Sequence, residues 1–282
     1  MRNHDPVTPD EIMVVGISRQ IQDGEVVAQG LATPLVAAGY LLARKTHAPH
    51  LYFASAIGQT ICREPAPLSL VNVESLWLDK AMLSGGFMRA AADVLPSLKP
   101  KEFFRPAQVD RHGNFNNIAF GVDYRKPRMR LPGTGGIPDV TTYFNDYCLY
   151  VPRHSRVTFV PELNFLSGLG YHPARTQGSG PQYLISDLGQ FDFFPAEGEH
   201  GCLPRMRLTS FHPGVDVERI QAKTGFELLI SPEVAETAPP TEEELFLLRH
   251  EIDPLGIRRL ELLSGAERRS LLHQIIALET DL

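Results

Sequence analysis

Residues 24–55, GEVVAQGLATPLVAAGYLLARKTHAPHLYFAS, carry the pattern that decides the fold. Two short apolar runs, residues 25–29 and 51–55, enclose a longer segment whose apolar residues recur with the 3.6-residue period of a helix. A Thr33-Pro34 pair begins that segment and two basic residues end it, as the dipole of a helix favours. This order of strand, helix and strand predicts two neighbouring parallel strands.

The segments on either side of this unit predict further helices and strands. Upstream, Thr8-Pro9 is typical of a helix start, because threonine caps the first turn and proline fits its first position. Downstream, residues 74–98 predict a mostly helical excursion. Residues 107–120 predict two strands around a tight turn, in which Gly113-Asn114 supplies left-handed conformations. We therefore expect an α/β fold with an open, largely parallel sheet, flanking helices and some hairpin strands.

We expect a single domain over residues 1–282. The length would suit two average domains, but single α/β domains reach this size, and the best linker candidate, residues 235–241, is short. The C-terminal tail, residues 241–282, carries two capping boxes, Thr241–Glu244 and Ser264–Glu267, that predict two helices. We expect this helical tail to pack on the domain or on a partner.

The composition is that of a globular chain and argues against several classes of function. Hydrophobic residues make up 43% of the chain and charged residues 21%, as in proteins that bury a large core. The net charge of −6 gives no general attraction to nucleic acid, and no apolar run is long enough for a membrane span. Three widely spaced cysteines and the absence of a secretory signal indicate reduced thiols and predict a cytoplasmic protein.

The strand tip at residues 54–58, ASAIG, is the first candidate for a ligand site. Ligands of open α/β sheets bind at the carboxyl ends of the strands, yet this tip offers no carboxylate, histidine or cysteine. The motifs of serine hydrolases, zinc proteases and P-loop nucleotide hydrolases do not occur in the sequence. His47 and His50 have a spacing that suits a metal, but Pro49 breaks the helix that would aim both rings. We therefore predict ordinary loop histidines.

The glycine loop at residues 133–136, GTGG, is the second candidate site. Its small residues let consecutive backbone N–H groups approach a ligand oxygen, and the helix that follows would add its dipole. Arg128 and Arg130 lie two apart on a strand-like approach, so both should point to one face, toward the loop. With Arg125 and Lys126 they form a basic cluster suited to phosphate or a carboxylate. The alternative is a solvated basic edge.

Two other polar segments have ordinary structural interpretations. His212 comes just before Pro213-Gly214, which predicts a strand-to-helix turn more readily than an imidazole aimed at a ligand. Asp110 and residues 114–117 surround the hairpin turn, where local hydrogen bonds are the default for aspartate and asparagine. A contact with a ligand or partner is the alternative there.

Four segments, in this order, resemble the β subunits of family I coenzyme A transferases. They are QVDRHGNFNN at residues 108–117, LPGTGGIPD at 131–139, YLISDLGQFDF at 183–193 and LTSFHPGVDVERIQAKTGFEL at 208–228. The resemblance extends from about Gly24 to Gly225 and beyond, and the combination of segments makes it specific. It implies an open α/β fold of the family I CoA-transferase type. It also implies an active site shared with an α subunit, often in a heterotetramer of two α and two β subunits.

The strand tip is where this chain departs from the transferring members of the family. In those members the β subunit ends the early strand with a glutamate, in a short E-x-G-like tip, and that carboxylate carries CoA as an enzyme-bound thioester. Here Ala54 or Ser55 occupies the place of the nucleophile, depending on the register, and neither supplies a carboxylate. The resemblance therefore argues against CoA transfer by the usual covalent route.

Residues 130–160 resemble a specialised branch of the family, the β subunit of the steroid ring-opening acyl-CoA hydrolase. In that branch a glutamate of the α subunit opens a cyclic β-ketoacyl-CoA during breakdown of the last steroid rings. Hydration of the ring ketone and retro-Claisen C–C cleavage need a base for water and a group that stabilises an enolate. They need no nucleophile on the β side. The resemblance implies such a β subunit, with an α subunit as partner and no cofactor beyond the CoA of its substrate.

On this interpretation the candidate site residues form three groups. One group leaves space for a bulky alicyclic acyl group at the strand tip: Ala54, Ser55, Ala56 and Gly58. A second group contacts a carbonyl or oxyanion through the glycine loop: Thr134, Gly135 and Gly136. The third supplies positive charge: Arg128, the candidate catalytic residue, and Arg130.

Two other hypotheses stay open. The first is a genuine CoA transferase whose acid comes from elsewhere, for instance from Glu74 or from the partner. The second is a non-catalytic structural subunit that only stabilises an active α chain.

Overall fold

The computed structural model describes residues 6–30, 33–56, 58–89, 93, 95–143, 147–198 and 201–280. The chain divides into two compact units. The first is Met1–Glu102 together with Ala238–Leu282, and the second is Phe103–Thr237. A single domain over residues 1–282 stays a prediction.

The first unit is built on the strand–helix–strand segment that the sequence predicts. Helix α1 (Pro9–Ser18) is followed by strand β1 (Val26–Gln29), helix α2 (Pro34–Lys45) and strand β2 (Tyr52–Ser55). β1 and β2 are parallel, with Ala28 opposite Ala54. The buried Tyr40 hydroxyl of α2 donates to the Ala28 carbonyl at 3.0 Å, so the helix is fixed on the strand that precedes it.

Further strands extend this sheet on both sides. They belong to a series that comprises β3 (Thr60–Cys62), α3 (Val73–Asp79), β4 (Ala81–Ser84), α4 (Phe87–Arg89), α5 (Leu95–Leu98) and β5 (Lys101–Phe104). The strands of the unit lie in the order β5-β1-β2-β3-β4. β5 is parallel to β1, with Glu102 opposite Ala28. β3 and β4 add antiparallel pairs at the other edge.

Residues 74–98 depart from the mostly helical prediction, because part of this segment forms strand β4. Leu83 of β4 lies opposite Ile61 of β3. The extended backbone of the AMLS segment is therefore selected by pairing with a neighbouring strand rather than by local helix propensity.

The second unit contains two short hairpins and a larger set of strands. In chain order its elements are β6 (Gln108–Val109), β7 (Phe115–Asn116), β8 (Ala119–Phe120), β9 (Met129–Arg130), α6 (Ile137–Tyr143), β10 (Tyr147–Val151), β11 (Tyr183–Ser186), β12 (Gly189–Gly198), β13 (Gly201–Phe211), α7 (Val217–Lys223) and β14 (Leu229–Glu236). The larger set has the order β14-β13-β12-β11-β10. Its outer pairs are parallel and its inner pairs, β11–β12 and β12–β13, are antiparallel. The α/β class with hairpin strands is confirmed.

The hairpin turn at residues 110–114 forms as predicted, with one difference. Gly113 has a φ of +74°, the left-handed conformation that the turn requires. Asn114 does not adopt that conformation. Its backbone N–H instead donates to the Asp110 carboxylate at 3.0 Å, which closes the turn by a local side-chain bond.

The C-terminal tail belongs to the first unit. It comprises α8 (Glu242–Phe246), a π-helical turn (Leu247–Ile252), a 3-10 helix (Ile257–Glu261) and α9 (Gly265–Thr280). The tail caps other backbone of the unit, since the Glu261 carboxylate accepts the Leu35 N–H at 2.9 Å and Glu279 accepts the Val71 N–H at 2.8 Å. No helix in the described part of the chain is long and apolar enough to cross a bilayer.

A buried ion-pair cluster joins the tail to α1. The Arg258 guanidinium, 5% exposed, lies 2.8 Å from the Asp10 carboxylate, 3.3 Å from Glu11 and 2.9 Å from Asp253. Arg249 adds a second cation at 2.6 Å from Glu11, and these arginines hold the pKa of Glu11 below its usual range against the effect of burial. Removal of one partner leaves the others buried without compensation.

The first prediction concerns this cluster. Replacing Arg258 with Met should lower the free energy of unfolding by about 3–5 kcal/mol, because it leaves buried carboxylates unpaired. Urea denaturation followed by the fluorescence of Trp77, the single tryptophan, measures the change. In the control Lys45→Met, which breaks an exposed pair with Glu251, the loss should stay below about 1 kcal/mol. Equal losses in the two variants would contradict the prediction.

Candidate functional site

The strand tip lies at the carboxyl edge of β2, and its positions differ in exposure. Ala54 and Ser55 are 5% and 3% exposed, whereas Ala56 is exposed. The Ala56 N–H donates to the Gln29 carbonyl at 3.0 Å, so Ala56 continues the ladder with β1 by one residue. Ile57 lies outside the described residues.

The packing around the tip requires a glycine at position 58. A Cβ at Gly58 would lie 2.9 Å from the Cβ of Trp77, closer than real side chains approach. Counting back from Gly58 by the E-x-G spacing arrives at Ala56, and Ala56 is also the exposed position of the three. Ala56 is therefore a further candidate for the place of the missing carboxylate, and the assignment to Ala54 or Ser55 stays a prediction.

An apolar pocket of about 280 Å³ adjoins one face of this edge. Gln29 and Phe53 of the strands, Pro34 and Tyr40 of α2, and Trp77 of α3 contribute to its walls. Because side chains alternate along a strand, Gln29 and Phe53 share their face with Ser55. The pocket therefore offers an apolar compartment at the strand ends of the first unit.

Glu102 lies on the opposite face of the same edge, and sequence reasoning missed it. It is opposite Ala28 in the pairing of β5 with β1, and Ala28 is opposite Ala54. Burial raises the pKa of the Glu102 carboxyl to about 7. The available signal was an acid within the strand-like KEFF run, but its position beside β1 depends on a pairing that the local sequence does not reveal.

The glycine loop lies in the second unit, directly before α6 as predicted. Gly133 and Gly135 have φ values of +107° and +51°, a region that favours glycine. Among the described residues, no acceptor takes a hydrogen bond from the backbone N–H of Thr134, Gly135 or Gly136. These donors remain available to a ligand.

A cleft of about 270 Å³ lies beside the glycine loop. Thr134, Pro138 and Thr142 form one part of its wall, and the apolar side chains of Leu166 and Leu169 form another. The loop therefore borders a surface that combines apolar contact with unused backbone donors.

The predicted basic cluster is exposed on the hairpin of β8 and β9. The Arg130 guanidinium lies 4.4 Å from the centre of the Tyr124 ring and donates to the Tyr124 carbonyl at 2.8 Å. Arg128 lies 5.9 Å from the centre of the Phe120 ring. Within the described chain neither arginine pairs with a carboxylate. Their charge is free for an anionic ligand, and a solvated basic edge is the competing interpretation.

The structure thus divides the candidate residues between the two units. Ala54, Ser55, Ala56 and Gly58 belong to the first unit, together with Glu102. Arg128, Arg130 and the glycine loop belong to the second.

The remaining polar candidates serve the fold. The buried His212 donates from Nε2 to the Ser186 carbonyl at 2.8 Å and accepts the Thr237 hydroxyl at Nδ1 at 2.9 Å. Burial lowers the pKa of His212 to about 4, so the ring is neutral and the turn interpretation is confirmed. Asp110 accepts hydrogen bonds from Asn114, which confirms local bonding there.

The histidines and cysteines form no metal site or disulfide in the described part of the chain. His50 contacts Asp23 at 2.8 Å and His47 contacts the Ile21 carbonyl at 3.1 Å, as expected of loop histidines. Across the residues that the structure describes, no group of three histidine, cysteine or acidic side chains is placed to hold a metal. Cys62, Cys148 and Cys202 form no disulfide.

The chain is similar to known enzyme subunits over most of its length. It is 32% identical to the β subunit of the 3-oxoadipate CoA-transferase of Pseudomonas knackmussii, an alignment that covers 85% of this chain and 91% of that protein. It is 30% identical to the cholesterol ring-cleaving hydrolase IpdB subunit of Rhodococcus jostii, over 84% of this chain and 89% of that one. No protein-family model matches the chain.

A solved structure agrees with these relatives. The crystal structure of the decarboxylase AibA/AibB contains a chain that superposes with a TM-score of 0.75 at 32% identity, covering 90% of this chain and 98% of that one. The relatives therefore include subunits of a CoA-transferase, a hydrolase and a decarboxylase that share one fold.

The second prediction follows from the neutral His212. Its folded-state pKa lies below the ordinary value of 6.5, so the unfolded chain takes up the proton first as the pH falls. The contribution of neutral His212 to the free energy of unfolding is fully present above pH 6.5. It is lost as the pH falls from about 6.5 to about 4, by up to about 1.4 kcal/mol per pH unit.

Urea denaturation at a series of pH values, followed by circular dichroism, tests this. The difference in unfolding free energy between the wild type and His212→Gln should shrink as the pH falls through that range. The exposed His273→Gln variant should run parallel to the wild type. A His212→Gln curve that also runs parallel would contradict the prediction.

Proposed function

This chain belongs to the family of CoA-transferase β subunits, and from that premise we propose that it is the β subunit of a heteromeric acyl-CoA hydrolase. The enzyme would open a cyclic β-ketoacyl-CoA by retro-Claisen C–C cleavage in steroid ring degradation. Its reaction needs no cofactor beyond the CoA that the substrate carries. The partner is an α subunit, in an assembly of two α and two β subunits.

The observation that supports hydrolysis over transfer is the exposed Ala56 at the strand tip. A transferase of this family carries CoA on a carboxylate at that place, and an alanine methyl group cannot form the thioester. The similarity to the ring-cleaving hydrolase subunit of Rhodococcus jostii points the same way. Three cysteines that form no disulfide support a cytoplasmic location.

In the proposed roles, one group of residues shapes the site and another stabilises negative charge. The exposed Ala56 leaves room for the acyl group at the tip, beside the buried Ala54 and Ser55, and Gly58 lets the chain pack closely against Trp77. The free N–H groups of Thr134, Gly135 and Gly136 stabilise negative charge on a carbonyl oxygen. Arg128, with Arg130 beside it, stabilises the enolate or the CoA phosphates by its unpaired charge.

In the proposed ring-opening reaction, the α subunit supplies the base. The base takes one proton from water as its oxygen adds to the ring ketone, which gives a tetrahedral hydrate anion. Collapse of that anion forms a carboxylic acid and breaks the C–C bond, and its electron pair becomes the enolate of the thioester. Protonation of the enolate carbon completes ring opening, and CoA stays attached throughout.

A CoA transferase remains the second candidate function. The 32% identity to a 3-oxoadipate CoA-transferase chain favours it. Its carboxylate would come from the exposed Glu74 or from the partner. A third hypothesis, a structural subunit that only stabilises an active α chain, predicts that the α chain alone keeps full activity.

The third prediction distinguishes these functions. The chain, purified in complex with its α subunit, is given a cyclic β-ketoacyl-CoA in oxygen-18 water with a free carboxylic acid as acceptor. We expect a ring-opened thioester that has gained labelled oxygen and still carries CoA, measured by mass spectrometry. CoA on the added acid would instead establish a transferase. Equal activity of the isolated α chain would support the structural hypothesis.

The fourth prediction concerns Arg128. Replacing Arg128 with Met should lower kcat/KM for ring opening by about 10²–10³-fold, as expected for loss of a group that stabilises transition-state charge. Assembly with the α subunit, followed by size-exclusion chromatography, should be unchanged because the side chain is exposed. Arg156→Met, an exposed arginine of the same unit, is the matched control. Unchanged kinetics in Arg128→Met would remove the proposed role.

A further inference from the structure

Glu102 belongs to the same sheet face as the strand tip. The registers place Glu102 opposite Ala28 and Ala28 opposite Ala54. Gly30 directly follows β1 next to the Glu102 carboxylate, and Ala56 directly follows β2, where its N–H donates to the Gln29 carbonyl. The carboxylate therefore lies two strands from the position at which the transferases carry theirs.

The Glu102 side chain reaches toward the carboxyl edge of the sheet. Its Oε1 lies 3.7 Å from the point where a Cβ on Gly30 would stand. Gly30 follows β1 directly and precedes α2, so the carboxylate borders the loop at which ligands of α/β sheets bind. Neighbouring strands are about 4.8 Å apart, which puts β5 roughly 10 Å from the backbone of β2. The Glu102 side chain and a small acyl group held at Ala56 can together span this distance.

No protein group explains the position of this carboxylate. Among the described residues, none donates a hydrogen bond to Glu102 or forms an ion pair with it. Lys101, its neighbour in the chain, points to the other face and binds Glu25 at 2.7 Å. No charged group of the described chain contributes to the pKa of Glu102, which burial raises to about 7. The side chain is nevertheless partly exposed and can exchange protons.

We propose that Glu102 is the proton donor to the enolate in this chain's site, which makes it a catalytic residue of the β subunit. The inference rests on the proposed ring-opening function, and it assigns the step that the α subunit's base does not cover. Glu102 in its acid form gives its proton to the carbon that loses the C–C bond. The resulting carboxylate then takes a proton from solvent and the α subunit's base releases the proton that it took from water, so both groups and the charge are restored after each turnover.

A proton donor suits Glu102 better than a covalent nucleophile. A nucleophile must be ionised when it attacks, whereas a carboxyl with a raised pKa is substantially protonated at neutral pH. General acids work best when their pKa lies near the working pH, which this environment provides without a partner residue.

The fifth prediction tests the donor in the complex with the α subunit. Glu102→Gln should lower kcat for ring opening by about 10²-fold or more with little change in KM, since the amide keeps the shape but gives no proton. The wild-type kcat should fall as the pH rises through about 7, where Glu102 loses its proton, and the variant should lack this decline. Glu64→Gln, an exposed glutamate of the same unit, should match the wild type.

The outcomes separate this inference from the function on which it rests. A wild-type complex that opens no ring overturns the proposed function and the inference with it. A wild-type complex that opens the ring while Glu102→Gln is equally active overturns the inference alone. A hydroxylamine-sensitive CoA adduct on Glu102 would also overturn it, because it would establish a nucleophile.

A second variant guards against a merely structural effect. Glu102→Ala leaves a space in which formate can replace the missing acid, so added formate should restore activity by at least tenfold. If Glu102→Gln does not assemble with the α subunit, this rescue decides the question. Failure of formate to raise the activity of an assembled Glu102→Ala complex would contradict the proton-donor role.

Discussion

Parallel pairing of β1 with β2 on one side and with β5 on the other is the constraint on which the candidate site of the first unit depends. It decides which side chains share a face at the carboxyl edge. With Ala28 opposite both Ala54 and Glu102, a carboxylate and two small residues fall on one face, and Gln29 and Ser55 fall on the other. A slip of one residue would exchange the two sets, so the chemistry of the edge is set by register as much as by composition.

The two faces of this edge carry different properties. The face of Ser55 adjoins the apolar pocket beside Phe53 and Trp77, which suits a hydrocarbon surface. The face of Ala54 holds Glu102, which has no partner among the described residues and suits proton transfer. Gly58 keeps the tip between them compact, because its contact with Trp77 leaves no room for a Cβ. The apolar pocket and Glu102 therefore lie on opposite faces of one strand end.

Local sequence predicted the elements whose causes are local. The β1–α2–β2 unit, the helix after the glycine loop and the turn at Gly113 follow from periodicity, capping and backbone conformation, all visible within a few residues. β4 and Glu102 could not be predicted in this way, because a distant strand determines both. The position of the tip shows the same limit. Ala54 and Ser55 were candidates by counting, and the structure adds the exposed Ala56, whose N–H bonds to Gln29 just beyond the end of β2.

The strongest reason to regard Glu102 as functional is the comparison of its surroundings with those of the other ionisable groups of the chain. Buried ionisable groups elsewhere have evident partners: Arg258 lies among three carboxylates, Glu279 caps backbone N–H groups, and His212 is neutral between two hydrogen-bond partners. Glu102 differs from these groups, because it is partly exposed and has no partner among the described residues. Its carboxyl pKa of about 7, at a strand end open to solvent, is what a proton-transfer step requires.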